Sequence, residues 1–366
     1  MTSLSELYRR GYEIDWDGFN RPWRRSRISL PTYPFERQRF WLDGDRSAVL
    51  RSRRANAEEP AGERLRSALP ESQFEARYSL NLLPYLDDHR IYGLPVLPMT
   101  GAIAALIDAA RRHFGTGAVA LENFQYRDAL VLPEAGERIV QTILTPVDAA
   151  TAECRLASID DKMNEGWRTH VVCLARKDAP AALEERPVNL DLGAARKRCA
   201  TSIAPDRYYR TVRALGLEYG PAFRGIETLL CGEGEVLARV VMPDELGEPS
   251  SFLHGALLDA CLHTYAALAE PRPDFDAAAD RPRGCYLPID FERFDGGGGL
   301  AREVWVCSVR RPGPEGADKR FTADIAIHAS DGRPIAHIRG LSLKFIPPET
   351  FATREPGKVD WLYQMR

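Results

Sequence analysis

Residues 100–114, TGAIAALIDAARRHF, place Ile103, Leu106, Ile107, Ala110 and Phe114 at helical spacing, with Asp108, Arg111 and Arg112 on the other face. Gly115 and Gly117 stop this helix. Four strand-like runs follow, at 118–124, 138–144, 151–159 and 167–176, and the polar turn 160–166 joins the last two as a hairpin. The same order then recurs. Residues 254–269, HGALLDACLHTYAALA, read as a second helix with an apolar face of Leu257, Leu258, Cys261, Leu262, Tyr265 and Leu268. Strands are expected at 226–231 and 235–242 before it and at 285–291, 303–309, 321–328 and 334–345 after it. Asp331-Gly332 is a two-residue hairpin signal between the last two. A buried helix followed by a strand meander, twice, is spaced too widely for a solenoid. It predicts two copies of one α+β unit packed side by side, each helix wrapped by its own sheet.

The whole chain has 366 residues and 41.0 kDa, room for about two or three domains. Hydrophobic residues make up 44% and charged residues 28%, a globular composition. A net charge of −3 lacks the basic excess of a nucleic-acid binder. The longest apolar stretch, 101–110, is interrupted by Asp108 and is too short to span a bilayer. The first residues carry no basic head and no apolar run, so no signal peptide is expected. Cys154, Cys173, Cys199, Cys231, Cys261, Cys285 and Cys307 form no C-x-x-C pair and are odd in number, which predicts buried free thiols in a reducing cytoplasm. Residues 1–64 do not read as a compact domain. The stretch 22–42 is Pro-punctuated, aromatic and basic, and 51–63 has linker composition. A Pro-containing segment, 180–204, bridges the two halves.

Several chemical signals fail. Gly232-Glu233-Gly234 lacks the third glycine of a dinucleotide fingerprint and opens a strand. The run Gly296 to Gly299 has no following Lys-Ser/Thr, and Lys344 stands where a nucleophile elbow around Ser342 needs glycine. No metal-ligand spacing is present. Two segments survive. In LDDHRIYGLPVLPMTG, residues 86–101, His89 precedes a Gly/Pro-rich turn that feeds the start of the first buried helix. Helix starts present unpaired N–H groups that stabilise an anion or a polarised carbonyl, and His89 beside them can act as a base. In the second helix Asp259 lies beside the apolar stripe, where lost solvation raises a carboxyl pKa and keeps it protonated, and His263 follows one turn later on the same face. Each also has a plain reading, a capping histidine and a surface Asp–His pair.

His89, Gly93 and Pro98 spell H-x-x-x-G-x-x-x-x-P, residues 219–226 spell Y-G-P-x-F-x-G-I, residues 258–263 spell L-D-x-x-x-H, and Leu287-Pro288 fits a looser fourth element. In this order, over about residues 65–347, the set resembles the dehydratase domain of modular type I polyketide synthases. The flanks are similar too: residues 12–16 and 30–41 look like the tail after an acyltransferase domain, and Asp360-Trp361-Leu362-Tyr363 looks like the opening of a next segment.

The resemblance implies an α+β double hotdog. Its expected parts are a post-acyltransferase tail and linker at 1–64, an N-terminal hotdog at 65–185, a linker at 186–204, a C-terminal hotdog at 205–347 and an exit linker at 348–366. It implies water loss from a β-hydroxyacyl thioester on an acyl carrier protein. His89 would be the base and Asp259 the acid, with backbone donors near Gly93 and the helix start after Pro98 for the thioester oxygen. His263 would orient Asp259, and Tyr219 would line the site or touch the β-hydroxyl. Leu97, Met99, Gly220, Pro221, Phe223, Leu287 and Pro288 would form the substrate tunnel. No metal, nucleotide or flavin is implied; the phosphopantetheine arm delivers the substrate, and the partners are the carrier protein, neighbouring synthase domains and a second copy in a cytoplasmic homodimer. Alternatives are a double-bond isomerase, against which Asp259 and Pro98 weigh, a ring-forming relative, or a non-catalytic scaffold, against which intact His89 and Asp259 weigh.

Overall fold

The computed structural model describes residues 2–23, 60–160, 166–177, 189–246, 254–269, 284–296, 302–313 and 320–352. Most of the Pro-punctuated stretch 22–42, most of the linker 51–63, the hairpin tip 161–165, three of the four glycines at 296–299 and Trp361 lie outside these residues. Two units divide at 46/47. The first contains α1 (Thr2–Arg9) and α2 (Trp16–Asn20). Asp15 caps α2, its Oδ1 accepting from the Gly18 N–H at 2.8 Å, and Trp16 packs edge-on against Tyr8 and Phe19.

The second unit holds the rest. Its N-terminal half contains β1 (Glu63–Arg64), β2 (Ser72–Tyr78), β3 (His89–Ile91), β4 (Leu94–Pro95), α3 (Met99–Phe114), β5 (Val119–Tyr126), β6 (Arg138–Pro146), β7 (Thr151–Asp160) and β8 (Arg168–Lys177). The C-terminal half contains α4 (Leu192–Arg198), β9 (Thr201–Ile203), α5 (Pro205–Ala214), β10 (Leu217–Tyr219), β11 (Ile226–Cys231), β12 (Glu235–Val241), α6 (Gly255–Leu262), α7 (Thr264–Ala269), β13 (Cys285–Gly296), β14 (Glu303–Arg310), β15 (Arg320–Ala329) and β16 (Pro334–Ile346). The short α8 (Glu349–Ala352) follows.

One antiparallel sheet runs in the order β1-β2-β6-β7-β8-β5-β13-β16-β15-β14-β12-β11-β9. The β5–β13 pairing sews the halves together, with Phe124 opposite Phe291 and their rings stacked at 4.5 Å. Such a pair contributes about 0.5–1.5 kcal/mol beyond its buried area. The first half curls around α3, which buries all but Gly101 and Asp108 of its residues from Met99 to Ala110 and leaves Asp108, Arg111 and Arg112 on its outer face. Gly115 ends α3 in the left-handed conformation, φ 64°. The second half curls around α6 and α7. The two helix starts touch through glycines: a Cβ on Gly255 would sit 3.3 Å from Gly101 Cα. This is the double hotdog that the helix-then-meander repeat predicted.

Three details depart from the sequence reading. The second helix is broken rather than continuous across 254–269: Tyr208 Oη donates to the His263 carbonyl at 2.6 Å, and Thr264 Oγ1 donates back to the Cys261 carbonyl at 2.9 Å. The β15–β16 hairpin has a three-residue loop, closed by Gly332 N–H to Ala329 O and Ala329 N–H to Arg333 O, with Gly332 at φ 86°. Within the stretch expected to be a linker, α4 packs against Trp305 and β9 pairs with β11. All seven cysteines are free, six of them buried.

Buried His170 donates from Nδ1 to the Asp128 carbonyl at 3.0 Å and accepts at Nε2 from Ser158 Oγ at 2.7 Å. Burial pushes its pKa down to about 4, below that of an unfolded chain, so the unfolded state binds the extra proton. Stability from this residue is complete above pH ~6.5 and falls as the pH drops toward 4, by about 3 kcal/mol in all. Urea unfolding at the two ends of this range should show that His170→Gln removes a loss of that size; an unchanged pH dependence would contradict it.

Candidate active site

His89 opens β3, the first strand of a small hairpin. Tyr92 and Gly93 turn it at φ 50° and 79°, both left-handed, as a type I′ turn requires, with Ile91 opposite Leu94. The second half of the molecule then locks onto this hairpin. β10 pairs with β3 so that Tyr219 lies opposite His89, and Gly216 O accepts from Tyr92 N–H at 2.8 Å. Asp88 takes the next two donors: its carbonyl accepts from Gly220 N–H and its Oδ2 from Ala222 N–H, each at 2.8 Å. A Cβ on Gly220 would lie 2.1 Å from Asp88 Oδ1, so only glycine fits. The Y-G-P-x-F motif is therefore a clasp. Gly220 and Pro221 shape it, and it sets Tyr219 and Phe223 against the His89 ring at 5.6 and 5.2 Å.

The imidazole of His89 is 5% exposed. Its Nδ1 lies 2.8 Å from the Val96 carbonyl, which only accepts, so Nδ1 carries the proton and Nε2 presents a lone pair. That lone pair faces Asp259 Oδ2 at 3.7 Å. Asp259, 6% exposed, comes from α6 in the other half. Its Oδ2 is 2.9 Å from His263 Nε2, and its Oδ1 accepts from Thr100 Oγ1 at 3.2 Å. Among the described residues His263 Nδ1 is buried with no partner. A lone pair left unpaired there is cheaper than an unpaired N–H, so the proton sits on Nε2 and is donated to the carboxylate. The ring of Tyr219 covers His263 at 3.8 Å.

Burial is the largest influence on both catalytic candidates. It pulls the His89 pKa below the usual imidazole range, partly offset by the nearby Asp259 charge. Burial pushes Asp259 upward, yet the hydrogen bond from His263, the two neighbouring histidines and the hydrogen bond from Thr100 outweigh it and hold the carboxyl below its usual range. This corrects the expectation of a protonated acid in the resting site: the apolar setting is there, but hydrogen-bond donors have been brought into it.

Both residues line an apolar cavity of about 60 Å³. Of the residues singled out in the sequence, His89, Asp259, Leu97, Pro98, Met99, Tyr219, Leu287 and Pro288 line it. Gly93 does not: it is exposed at the hairpin tip, where its carbonyl accepts from Arg90 Nη1 at 2.7 Å, so it is no donor to a substrate oxygen. Pro98, which has no N–H, caps α3, leaving Met99 N–H as the first donor of the helix start. Gly220, Pro221, Phe223 and His263 stand behind the lining rather than in it. Sequence reasoning missed Tyr126 and Tyr265 as lining residues. Tyr126 belongs to no motif, and Tyr265 reaches the cavity through the helix break at His263. Among the described residues no group of three or more His, Cys, Asp or Glu side chains could hold a metal ion.

The Asp259 charge raises the His89 pKa, so removing it has a definite sign. In an NMR titration His89 should protonate below pH ~6.5, and lower still in Asp259→Asn. A rise on substitution would contradict the geometry.

Two family models match: the polyketide synthase dehydratase domain over residues 62–159, and the polyketide synthase dehydratase N-terminal domain over 188–352. Among curated proteins, the chain is 32% identical over 309 residues to polyketide synthase GfsB of Streptomyces halstedii, covering 79% of this chain and 5% of that protein. It is 31% identical over 273 residues to the spectinabilin polyketide synthase system protein NorA' of Streptomyces orinoci, covering 72% and 7%. The chain thus spans less than a tenth of the length of these relatives. Among solved structures, the dehydratase domain from the CurJ module of curacin polyketide synthase superposes with a TM-score of 0.70 at 25% identity, covering 80% of this chain and 98% of that one. The clasp on Asp88, the His89–Asp259 pair across the seam and these matches agree: the chain belongs to the polyketide synthase dehydratase domain family.

Proposed function

We propose that this domain removes water from a β-hydroxyacyl thioester, giving the α,β-unsaturated thioester during polyketide chain extension. The observation that carries it is the pair of opposed proton-transfer groups, a free imidazole Nε2 and a carboxylate oxygen, 3.7 Å apart in an apolar cavity. His89 Nε2 takes the α-proton. The C–H electron pair becomes the new double bond as the Cβ–O bond breaks, and the oxygen leaves as water with a proton from Asp259. Asp259, ionised in the resting site, takes up this proton from solvent before the chemistry, as an entering acyl chain fills the cavity and adds to the burial that already pushes the carboxyl toward protonation. The proton gained by His89 and the one lost by Asp259 are then exchanged across the short gap between them, which resets the pair. Both transfers come from side chains, without a further cofactor.

The setting is proposed from the same family. The substrate arrives on the phosphopantetheine arm of an acyl carrier protein, and neighbouring synthase domains adjoin residues 1–64 and 348–366 of a cytoplasmic homodimer. Residues 65–347 are the catalytic unit, its halves joined through 186–204, of which α4 and β9 pack with the C-terminal half.

Each proton transfer typically contributes about 10²–10⁴ in rate. His89→Ala and Asp259→Asn should each lower enoyl formation at least about a hundredfold in mass analysis of carrier-bound product, with an unchanged folded spectrum. Undiminished water loss in either folded variant would overturn the assignment.

A further inference from the structure

Beyond Leu97 from the catalytic cavity lies a second hollow of about 200 Å³. Leu82, Leu83, Tyr85 and Ala104 line it, and Arg77 stands at its charged rim. Among the residues lining the two spaces, Leu97 alone belongs to both. Its backbone is fixed: its N–H donates to the Leu130 carbonyl at 2.9 Å, and its own carbonyl accepts from Tyr126 Oη at 3.2 Å. Its side chain occupies the space left by Gly101, where a Cβ would lie 2.9 Å from Leu97 Cδ1. Leu97, an aliphatic residue on an anchored backbone beside a glycine, is thus the residue common to the walls of both spaces.

The volumes give this wall a consequence. At roughly 10–15 Å³ for each water-sized group, the catalytic cavity of about 60 Å³ holds about four to six of them. That matches the carbons and oxygens of a four-carbon β-hydroxyacyl group. A longer chain that runs toward Leu97 meets its side chain, and beyond it the larger hollow is lined in part by apolar side chains.

We propose that Leu97 sets the acyl-chain length this site accepts: it closes the catalytic cavity behind a short chain, and without it the cavity and the second hollow merge into one channel. This rests on the dehydratase reading and adds its substrate class, short β-hydroxyacyl thioesters. Leu97→Ala cuts the wall back to its Cβ. Leu97→Met keeps its bulk and serves as the conservative control.

The experiment measures kcat/KM for enoyl formation from 3-hydroxybutyryl, 3-hydroxyhexanoyl and 3-hydroxyoctanoyl thioesters on one pantetheine arm, both hydroxyl configurations included. The natural chain should favour the four-carbon substrate over the eight-carbon one by about tenfold or more, the scale on which a hydrophobic pocket discriminates chain length. Leu97→Ala should shift this ratio at least about tenfold toward the longer chain, and Leu97→Met should leave it close to the natural value. Equal turnover of all lengths by the natural chain, or the same length profile in Leu97→Ala, would overturn the proposal. If Leu97→Ala does not fold, Leu97→Val replaces it, and an unchanged profile there counts equally against the proposal. If the natural chain dehydrates none of the series, the dehydratase reading itself fails, a different outcome from a flat length profile.

Discussion

Asp259 is a carboxylate that a helix carries into an apolar interior, and much of the site answers the cost of that burial. An unpaired ionised carboxyl there would cost several kcal/mol. Thr100 supplies one hydrogen bond from the start of α3, His263 a second from one turn along α6, and His89 faces the same oxygen from the other half. His263 is itself supported: Tyr219 covers its ring, and Tyr208 donates to its carbonyl where the helix breaks. A group that would otherwise neutralise itself is kept ionised, next to an imidazole that burial keeps neutral.

This arrangement requires the two halves to be held in register, and the clasp does that. β10 adds a strand to the His89 hairpin, and Asp88 accepts from Gly220 and Ala222, so the histidine-bearing segment is built from both halves. Of the clasp, Tyr219 lines the cavity, while Gly220, Pro221 and Phe223 do their work from behind it. The β5–β13 pairing and the contact of Gly101 with Gly255 fix the same seam from the sheet and from the helix starts.

The fold could be read in the sequence because its strongest signals are local. The apolar spacing of 100–114 and the alternating strands 138–144 and 321–328 each fix one element, and their repeated order fixes the architecture. His89, Asp259 and Tyr219 were legible from motif spacing. What was hidden depends on tertiary partners. The carboxyl's protonation turns on Thr100 and His263 as donors, the break after Leu262 on Tyr208, and the place of Tyr126 and Tyr265 in the cavity on packing that no spacing encodes. Gly93 was misassigned because its left-handed turn is a structural need that looks, in sequence, like a catalytic one.

The central claim is that His89 and Asp259 act as one proton-transfer unit on a single step. The most direct test is a double-mutant cycle in turnover of a carrier-bound β-hydroxyacyl thioester, comparing His89→Ala, Asp259→Asn and the double variant. Residues that act as a unit are strongly non-additive, so the double variant should be no slower than the slower single one, within about a factor of three. Losses that multiply, each residue contributing independently of the other, would contradict it.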